Sequence, residues 1–200
     1  MDVFHVLSNN FKTNMYLVYD KDVGFLIDPA ERDQVLEKYI EDNNIEIKFI
    51  LLTHGHYDHI YSADYYRNKY GVKIYGGIEE KEIFNDSKLN LSNHLNIPVS
   101  IDPDIYLNDG DIFSEFEIKA IHTPGHTKGS YSYIVDDYIF SGDTLFYMSI
   151  GRSDFPSGNY SELIDSVVNK LFIYKDKIVY PGHDRKTDID YERSHNPFFN

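Results

Sequence analysis

The sequence predicts a layered α/β domain (α+β in some schemes) in which helices lie outside the sheets. Short apolar runs with strand character alternate with amphipathic stretches of helical period along the whole chain. The 200 residues suit one domain with a sizeable buried core. The hydrophobic fraction of 42% and the aromatic fraction of 16% are typical of a compact globular protein.

The first half of the chain predicts strands and helices in turn. In order they are a pair of strands over 16–29 turning near Asp20–Asp22, a helix over 31–44, a buried strand over 48–53, a helix over 59–70 and a strand over 72–77. The first helix is predicted to bury Val35, Leu36, Tyr39 and Ile40 and to stop at Asn43–Asn44. The second is expected to have Asp58 near its N-cap.

The second half predicts mainly strands. They are a strand over 116–121, a hairpin over 130–143 turning at Asp136–Asp137, and a strand over 177–180. One helix is expected between the last two, with Leu163, Val167 and Leu171 on its apolar face and Asn159 or Ser161 as its cap.

Composition excludes several classes of function. A net charge of −14 argues against a nucleic-acid partner, because phosphate backbones require a basic face. No apolar run approaches the roughly 20 residues of a membrane helix, so no membrane partner is expected. With no cysteine and no basic-then-apolar leader at the N-terminus, we expect a cytoplasmic protein without disulfides or thiolate ligands. The oligomeric state is left open.

Three histidines and an aspartate crowd into the stretch LLTHGHYDH at residues 51–59. Residues two apart in an extended segment point to the same side, so His54, His56 and Asp58 are predicted to face one way. His59 is expected on the first turn of the following helix. These four side chains are candidate metal ligands.

Three further candidate ligands stand alone in the sequence, each after a predicted strand and each directly preceded by a glycine: His126, Asp143 and His183. Glycine at such turns permits a close backbone approach or a positive φ. Five imidazoles and two carboxylates form a donor set suited to Zn²⁺, with Fe or Mn possible. Seven ligands exceed the need of one catalytic zinc and fit two cations that share a carboxylate.

Two simpler interpretations of these histidines and carboxylates compete with a catalytic two-metal site. A structural metal site is an alternative, although such sites are normally closed and often rich in thiolates. A lone histidine after a strand is usually a surface residue or a core residue with its polar atoms satisfied. That interpretation is applied to His5, His94, His122 and His195.

The pattern His54-Gly-His56-Tyr-Asp58-His59 resembles the H-x-H-x-D-H signature of the metallo-β-lactamase-fold superfamily, and His126, Asp143 and His183 follow in the matching order. The resemblance implies a four-layer αββα sandwich formed by a single domain over residues 1–200. It implies two divalent metal ions, one held by His54, His56 and His126 and the other by Asp58, His59 and His183. Asp143 would bridge the two ions.

Within the superfamily, the stretches HTPGHTKGS, SGDTLF, IGRSDFPSGN and ERSHNPF resemble the short bacterial glyoxalase II-like (hydroxyacylglutathione hydrolase-like) metallohydrolases. Those proteins lack the C-terminal helical domain that supplies part of the glutathione site. The resemblance implies an enzyme that acts on a small-molecule thioester or other ester. A hydroxide bridging the metals would attack the carbonyl, with Asp58 and Asp143 orienting it as catalytic residues.

Two departures from the full-length enzymes concern the thiol carrier. Tyr61-Ser62 replaces the small residues that commonly follow the metal motif, and HDRKT replaces a glutathione-contacting segment after His183. Arg152 is the main candidate for a substrate contact, because related hydrolases place a basic residue in that loop. A salt bridge to Asp154 is the alternative role for this side chain.

Two other functions are also consistent with the sequence. Persulfide dioxygenases, which use one iron, share the metal motif, the stretch Gly151–Phe155 and the C-terminal ER…NP pattern. A metal-dependent binding module without turnover is the third hypothesis. Lactonase or phosphodiesterase specificity falls within the first chemistry.

Overall fold

The computed structural model describes residues 1–96 and 98–199, and its first sheet contains six strands in the order β1-β2-β3-β4-β5-β6. They are Asp2–Leu7, Asn14–Asp20, Val23–Ile27, Glu46–Leu51, Lys73–Gly77 and Ile105–Leu107. β1, β2 and β3 form an antiparallel meander, whereas β3, β4 and β5 run parallel. Of residues 48–53, predicted as a strand covered on both faces, 49–53 are buried, whereas Lys48 is exposed.

The second sheet has the order β14-β13-β10-β9-β8-β7. Its strands are β7 (Ile112–Phe113), β8 (Ile118–His122), β9 (Tyr131–Val135), β10 (Tyr138–Gly142), β13 (Ile178–Pro181) and β14 (Thr187–Asp188). β8, β9 and β10 are antiparallel neighbours, with the predicted turn at Asp136–Asp137 between β9 and β10. β10 and β13 are parallel. A short ribbon pairs β11 (Leu145–Phe146) with β12 (Ser149–Ile150).

Six α-helices connect these strands within the described residues: α1 (Gln34–Asp42), α2 (Tyr57–Ile60), α3 (Ala63–Tyr70), α4 (Lys81–Asn85), α5 (Tyr160–Asp165) and α6 (Ile189–His195). α5 continues as a π-helical segment over Ser166–Leu171. The predicted cap Asn159 accepts from the backbone N–H groups of Ser161 and Glu162. α1 ends at Asp42 with Asn43 as its C-cap, which agrees with the predicted stop at Asn43–Asn44.

Two predicted details were wrong. The helix expected over 59–70 begins earlier, at Tyr57 with His56 as its N-cap, and is interrupted before α3. The interruption arises because the Ser62 N–H donates to the carbonyl of Pro29 at 3.2 Å instead of continuing the helical ladder. Val35, expected on the buried face of α1, is 63% exposed.

The chain forms two compact units, each with its own core. The first unit comprises Met1–Gly76 with Glu82–Tyr106, and the second comprises Gly77–Lys81 with Leu107–Asn200. The first core includes Leu17, Leu26, Leu36, Ile50 and Phe84, and the second includes Ile139, Leu145, Leu163, Val167 and Val179. A single domain over residues 1–200 stays a prediction.

Among the described residues, no helix is long and apolar enough to cross a membrane.

Candidate metal centre

In the first unit, the predicted ligands lie just beyond the carboxyl end of β4. The His54 ring centroid lies 4.8 Å from that of His56 and 4.1 Å from that of His59. All three rings are buried, with exposures of 2% or less. Asp58 lies in α2 rather than in the extended segment, and its Oδ2 is 3.8 Å from His59 Nε2. The four residues therefore form one cluster, although Asp58 reaches it from a helical turn.

Asp28, which directly follows β3, fixes the orientation of this histidine cluster. Its carboxylate accepts from the Thr53 N–H at 2.8 Å and from the Thr53 hydroxyl at 2.6 Å. It also lies 2.9 Å from His59 Nδ1, in a site where both side chains are almost fully buried. Because a carboxylate can only accept, the proton of His59 sits on Nδ1 and Nε2 is the atom that can bind a metal.

The same network fixes the tautomer of His54. The Thr53 hydroxyl has one proton, which it donates to Asp28. It therefore accepts a hydrogen bond from His54 Nδ1, which lies 3.1 Å away. His54 and His59 both offer Nε2 as the ligand atom, the arrangement in which a polar partner on the other ring nitrogen orients a metal-binding imidazole.

Asp28 supports the site but was not predicted to do so from the sequence. The usable signal was the stretch LIDP, an aspartate at the end of a strand in the same context as Asp143. Thr13 is a second missed residue: its hydroxyl donates to Asp58 Oδ2 over a long 3.4 Å. Both residues lie far from the histidine motif in the sequence.

The three predicted ligands of the second unit lie at one edge of its sheet. β8 and β10 are both antiparallel to β9, and β13 is parallel to β10. The carboxyl ends of β8, β10 and β13 therefore meet at the same edge. His126, Asp143 and His183 follow these three strands within four residues. The predicted strand–turn–ligand design is thus present at all three places.

Asp143 lies between the two histidines of this unit. Its Oδ2 is 3.4 Å from His126 Nε2 and 3.6 Å from His183 Nε2. Two ligand atoms each about 2.0–2.1 Å from a tetrahedral zinc are about 3.4 Å apart. The spacing on both sides of Asp143 therefore fits a carboxylate that shares one metal with His126 and another with His183.

A backbone carbonyl orients His126. His126 Nδ1 lies 2.7 Å from the carbonyl oxygen of Arg152. A carbonyl only accepts, so the proton is on Nδ1 and Nε2 is again the ligand atom. The close approach of this loop depends on Gly151, where an added Cβ would lie 1.8 Å from the Asp143 carbonyl oxygen.

Gly125, which precedes His126, confirms the predicted role of glycine at these turns. Its φ is +133°, and an added Cβ would lie 2.2 Å from the backbone nitrogen of Leu163. The turn that presents His126 therefore packs directly against α5. Any larger residue at position 125 would displace either the helix or the ligand.

The Arg152 side chain forms the salt bridge that the sequence analysis gave as its alternative role. Its Nε and one terminal nitrogen donate to the two Asp154 carboxylate oxygens at 2.9 and 2.7 Å. This hydrogen bonding lowers the pKa of Asp154, so the carboxylate stays ionised beside the guanidinium. Both side chains are exposed. A substrate contact by Arg152 stays a prediction.

The predicted ligands all belong to groups of histidines and carboxylates that can hold a metal ion: His54, His56, Asp58, His59, His126, Asp143 and His183. Their imidazole nitrogens and carboxylate oxygens suit divalent metals. In the described part of the chain, His5, His94, His122 and His195 belong to no such group. The assignment of each ligand to a particular metal stays a prediction.

Comparison with known proteins agrees with this site. The sequence model of the metallo-beta-lactamase superfamily matches residues 9–183. Hydroxyacylglutathione hydrolase GloC of Haemophilus influenzae is 36% identical over an alignment of 200 positions, which covers 95% of this chain and 94% of that protein.

Two solved structures are similar over nearly the whole chain. The crystal structure of the BLEG-1 B3 metallo-beta-lactamase has a TM-score of 0.93 and 32% identity, with both chains fully covered. The crystal structure of TTHA1623 in a di-iron-bound form has a TM-score of 0.87 and 27% identity, covering 98% of this chain and all of that one. The predicted fold class of the metallo-β-lactamase type is confirmed, and the chain belongs to the metallo-β-lactamase superfamily.

Proposed function

We propose that this protein is a binuclear metal-dependent hydrolase of thioesters of the hydroxyacylglutathione type or of related esters. The observation that carries the proposal is the position of Asp143, whose Oδ2 lies 3.4 and 3.6 Å from the Nε2 atoms of His126 and His183. Such a carboxylate is suited to joining two metal ions. The 36% identity to hydroxyacylglutathione hydrolase GloC supports the thioester class of substrate.

The proposed ligand sets follow the order of the residues in the chain. His54, His56 and His126 would hold one metal, Asp58, His59 and His183 would hold the other, and Asp143 would be shared. Zinc is the expected metal because the donors are nitrogen and oxygen atoms, and iron or manganese also accepts this set. The di-iron form of the similar protein TTHA1623 supports a two-metal site and admits iron.

The protein's own groups prepare the site for hydrolysis. When bound, two divalent metals lower the pKa of water from 15.7 to about 7 and polarise the carbonyl of the substrate. Asp28 and the Arg152 carbonyl keep the Nδ1 protons of His59 and His126 in place, so that Nε2 of each ring is available as a ligand. Asp58 and Asp143 accept hydrogen bonds from the attacking water and orient it toward the carbonyl carbon.

Elemental analysis of the purified protein together with hydrolysis of S-lactoylglutathione tests the proposal. Two zinc or other divalent ions per chain and release of free thiol are the expected results. One iron per chain with oxygen uptake on a persulfide would instead identify the dioxygenase alternative. Two metals without turnover of any thioester or ester would overturn the hydrolase and favour a binding module.

β-Lactam hydrolysis belongs in the same assay panel because of the similarity to the BLEG-1 B3 metallo-beta-lactamase. The chain has no cysteine and therefore lacks the thiolate ligand of the commonest class of zinc β-lactamases. We expect thioester cleavage to exceed cleavage of a chromogenic cephalosporin. The opposite order would overturn the proposed substrate class while retaining the binuclear site.

A further inference from the structure

A chain with a net charge of −14 needs a local cation to attract an anionic substrate. In the second unit, the loops that follow Asp143 and His183 carry three basic residues: Arg152, Arg185 and Lys186. Arg152 is already neutralised by its two hydrogen bonds to Asp154. The remaining question is what Arg185 and Lys186 contact.

Arg185 rests on an aromatic ring instead of a carboxylate. Its guanidinium carbon lies 3.6 Å from the ring centroid of Tyr147. Within residues 1–96 and 98–199, no acidic side chain forms a salt bridge with this guanidinium, and the exposed group keeps its donors for other acceptors. A cation stacked on a ring is held in place while its N–H donors stay available.

The ring beneath Arg185 is itself fixed. Tyr147 stacks on Tyr191 with centroids 5.6 Å apart and planes 14° apart, and their hydroxyl oxygens are 3.1 Å apart. Tyr191 stacks in turn on His195 at 4.6 Å. The result is a ladder of three rings with the guanidinium at one end.

A buried carboxylate contacts both the loop that carries Tyr147 and the loop that carries Arg185. Glu192, which is fully buried, accepts from the Met148 N–H at 2.9 Å and from the Thr187 hydroxyl at 2.6 Å. Met148 adjoins Tyr147, and Thr187 lies two residues after Arg185. Glu192 therefore holds the loop of Tyr147 and the loop of Arg185 against α6.

We infer that Arg185 binds a carboxylate of the substrate and makes this enzyme selective for thioesters whose thiol carrier is anionic. The residue lies two positions after His183, on the loop that carries this metal ligand. A planar guanidinium binds a carboxylate through two parallel hydrogen bonds, which a lysine cannot reproduce. Lys186 lies 5.8 Å from the Tyr180 ring and contributes at most a point charge. This inference rests on the proposed thioester hydrolysis.

The test compares S-lactoylglutathione with its dimethyl ester, in which both carboxylates are blocked, and follows release of free thiol. Arg185→Gln should raise KM for the free acid by about tenfold or more, because a hydrogen bond between charged groups is lost, and should leave kcat nearly unchanged. KM for the dimethyl ester should not change. Arg185→Lys should recover only part of the loss.

Arg193→Gln is the matched control, since Arg193 is an exposed arginine of the same unit that pairs with Asp190. It should leave KM for both substrates at the wild-type value. Equal KM changes of Arg185→Gln on the two substrates, or an equal change in the control, would overturn the inference.

A binding measurement separates this inference from the proposed function. Calorimetry on the metal-loaded protein with S-propylglutathione, a thioether that cannot be hydrolysed, and with its dimethyl ester requires no turnover. Tighter binding of the free acid that Arg185→Gln abolishes would support the anion site even if no thioester is cleaved. Turnover in the wild type without any such preference would support the hydrolase and reject the role of Arg185.

Discussion

The two ligand clusters are organised in opposite ways. In the first unit, four predicted ligands come from six consecutive residues after one strand, and the carboxylate of Asp28, which follows another strand, orients His59. In the second unit, three predicted ligands follow three different strands, between residues 126 and 183. There a backbone carbonyl, that of Arg152, performs the orienting role for His126.

This difference determines which substitutions disturb the ligands of each cluster. A carboxylate that orients a histidine can be removed by one substitution without changing the backbone. A carbonyl cannot be removed in this way, so the second cluster depends on the glycines that let its loops approach one another. We therefore expect the first cluster to be sensitive to its supporting side chains and the second to its turns.

The largest effect should come from Asp143→Asn, which removes the negative charge from the ligand between His126 and His183. Thioester hydrolysis should fall by more than about a hundredfold, beyond the 10–100-fold typical of residues that only orient a ligand. Bound metal should fall below two ions per chain. Steady-state kinetics with elemental analysis measures both, and Asp154→Asn, an exposed carboxylate of the same unit, is the control. Full occupancy with full activity would show that Asp143 is not the shared ligand.

Asp28→Asn tests the first cluster through its supporting carboxylate. The amide cannot accept from Thr53 and His59 as the carboxylate does, so His59 loses its fixed tautomer. Metal affinity or activity should fall by about 10–100-fold. A competition titration with a chelator measures the affinity, and Asp42→Asn, on the exposed end of α1 beside Lys38, serves as the control. An unchanged affinity would mean that Asp28 has no role in metal binding.

Gly125→Ala tests the second cluster through its backbone. The new Cβ would meet Leu163 at 2.2 Å from its nitrogen, at a φ of +133°, so we expect a loss of about 3 kcal/mol or more in the free energy of unfolding. Gly110→Ala is the matched control, because Gly110 also has a positive φ, +86°, but nothing within 4 Å of the added atom. It should cost only about 1–2 kcal/mol. Denaturant unfolding measures both, and equal losses would refute the packing argument.

The sequence predicted well those features that are encoded locally. The alternation in residues 130–143, the cap at Asn159 and the stop at Asn43 each depend on a few neighbouring residues, and the structure has all three. Short strands such as β7, β11 and β14 have two residues each and were not predicted. A two-residue strand carries no periodic pattern and is defined only by its partner.

The sequence predicted the candidate ligands but not the groups that support them. Each ligand carries its own signal, a histidine or aspartate after a strand. The roles of Asp28 and the Arg152 carbonyl depend on contacts between residues that are 31 and 26 positions apart. A carbonyl in particular has no sequence signal, since every residue has one. The interruption between α2 and α3 likewise depends on the distant carbonyl of Pro29.

The smallest effect is expected from Thr13→Val, which removes a long hydrogen bond to Asp58 from the first cluster. Its result shows whether a weak hydrogen bond matters there as much as the Asp28 carboxylate does. The Thr13 hydroxyl donates to Asp58 Oδ2 over 3.4 Å, well beyond the usual 2.5–3.0 Å of such a bond, so its contribution is small. Metal affinity should fall by about two- to threefold, at the lower end of the range for one hydrogen bond. Thr13→Ser keeps the hydroxyl and should match the wild type in the same chelator titration. A loss as large as that of Asp28→Asn would show that Asp58, rather than His59, is the ligand whose orientation limits metal binding in the first unit.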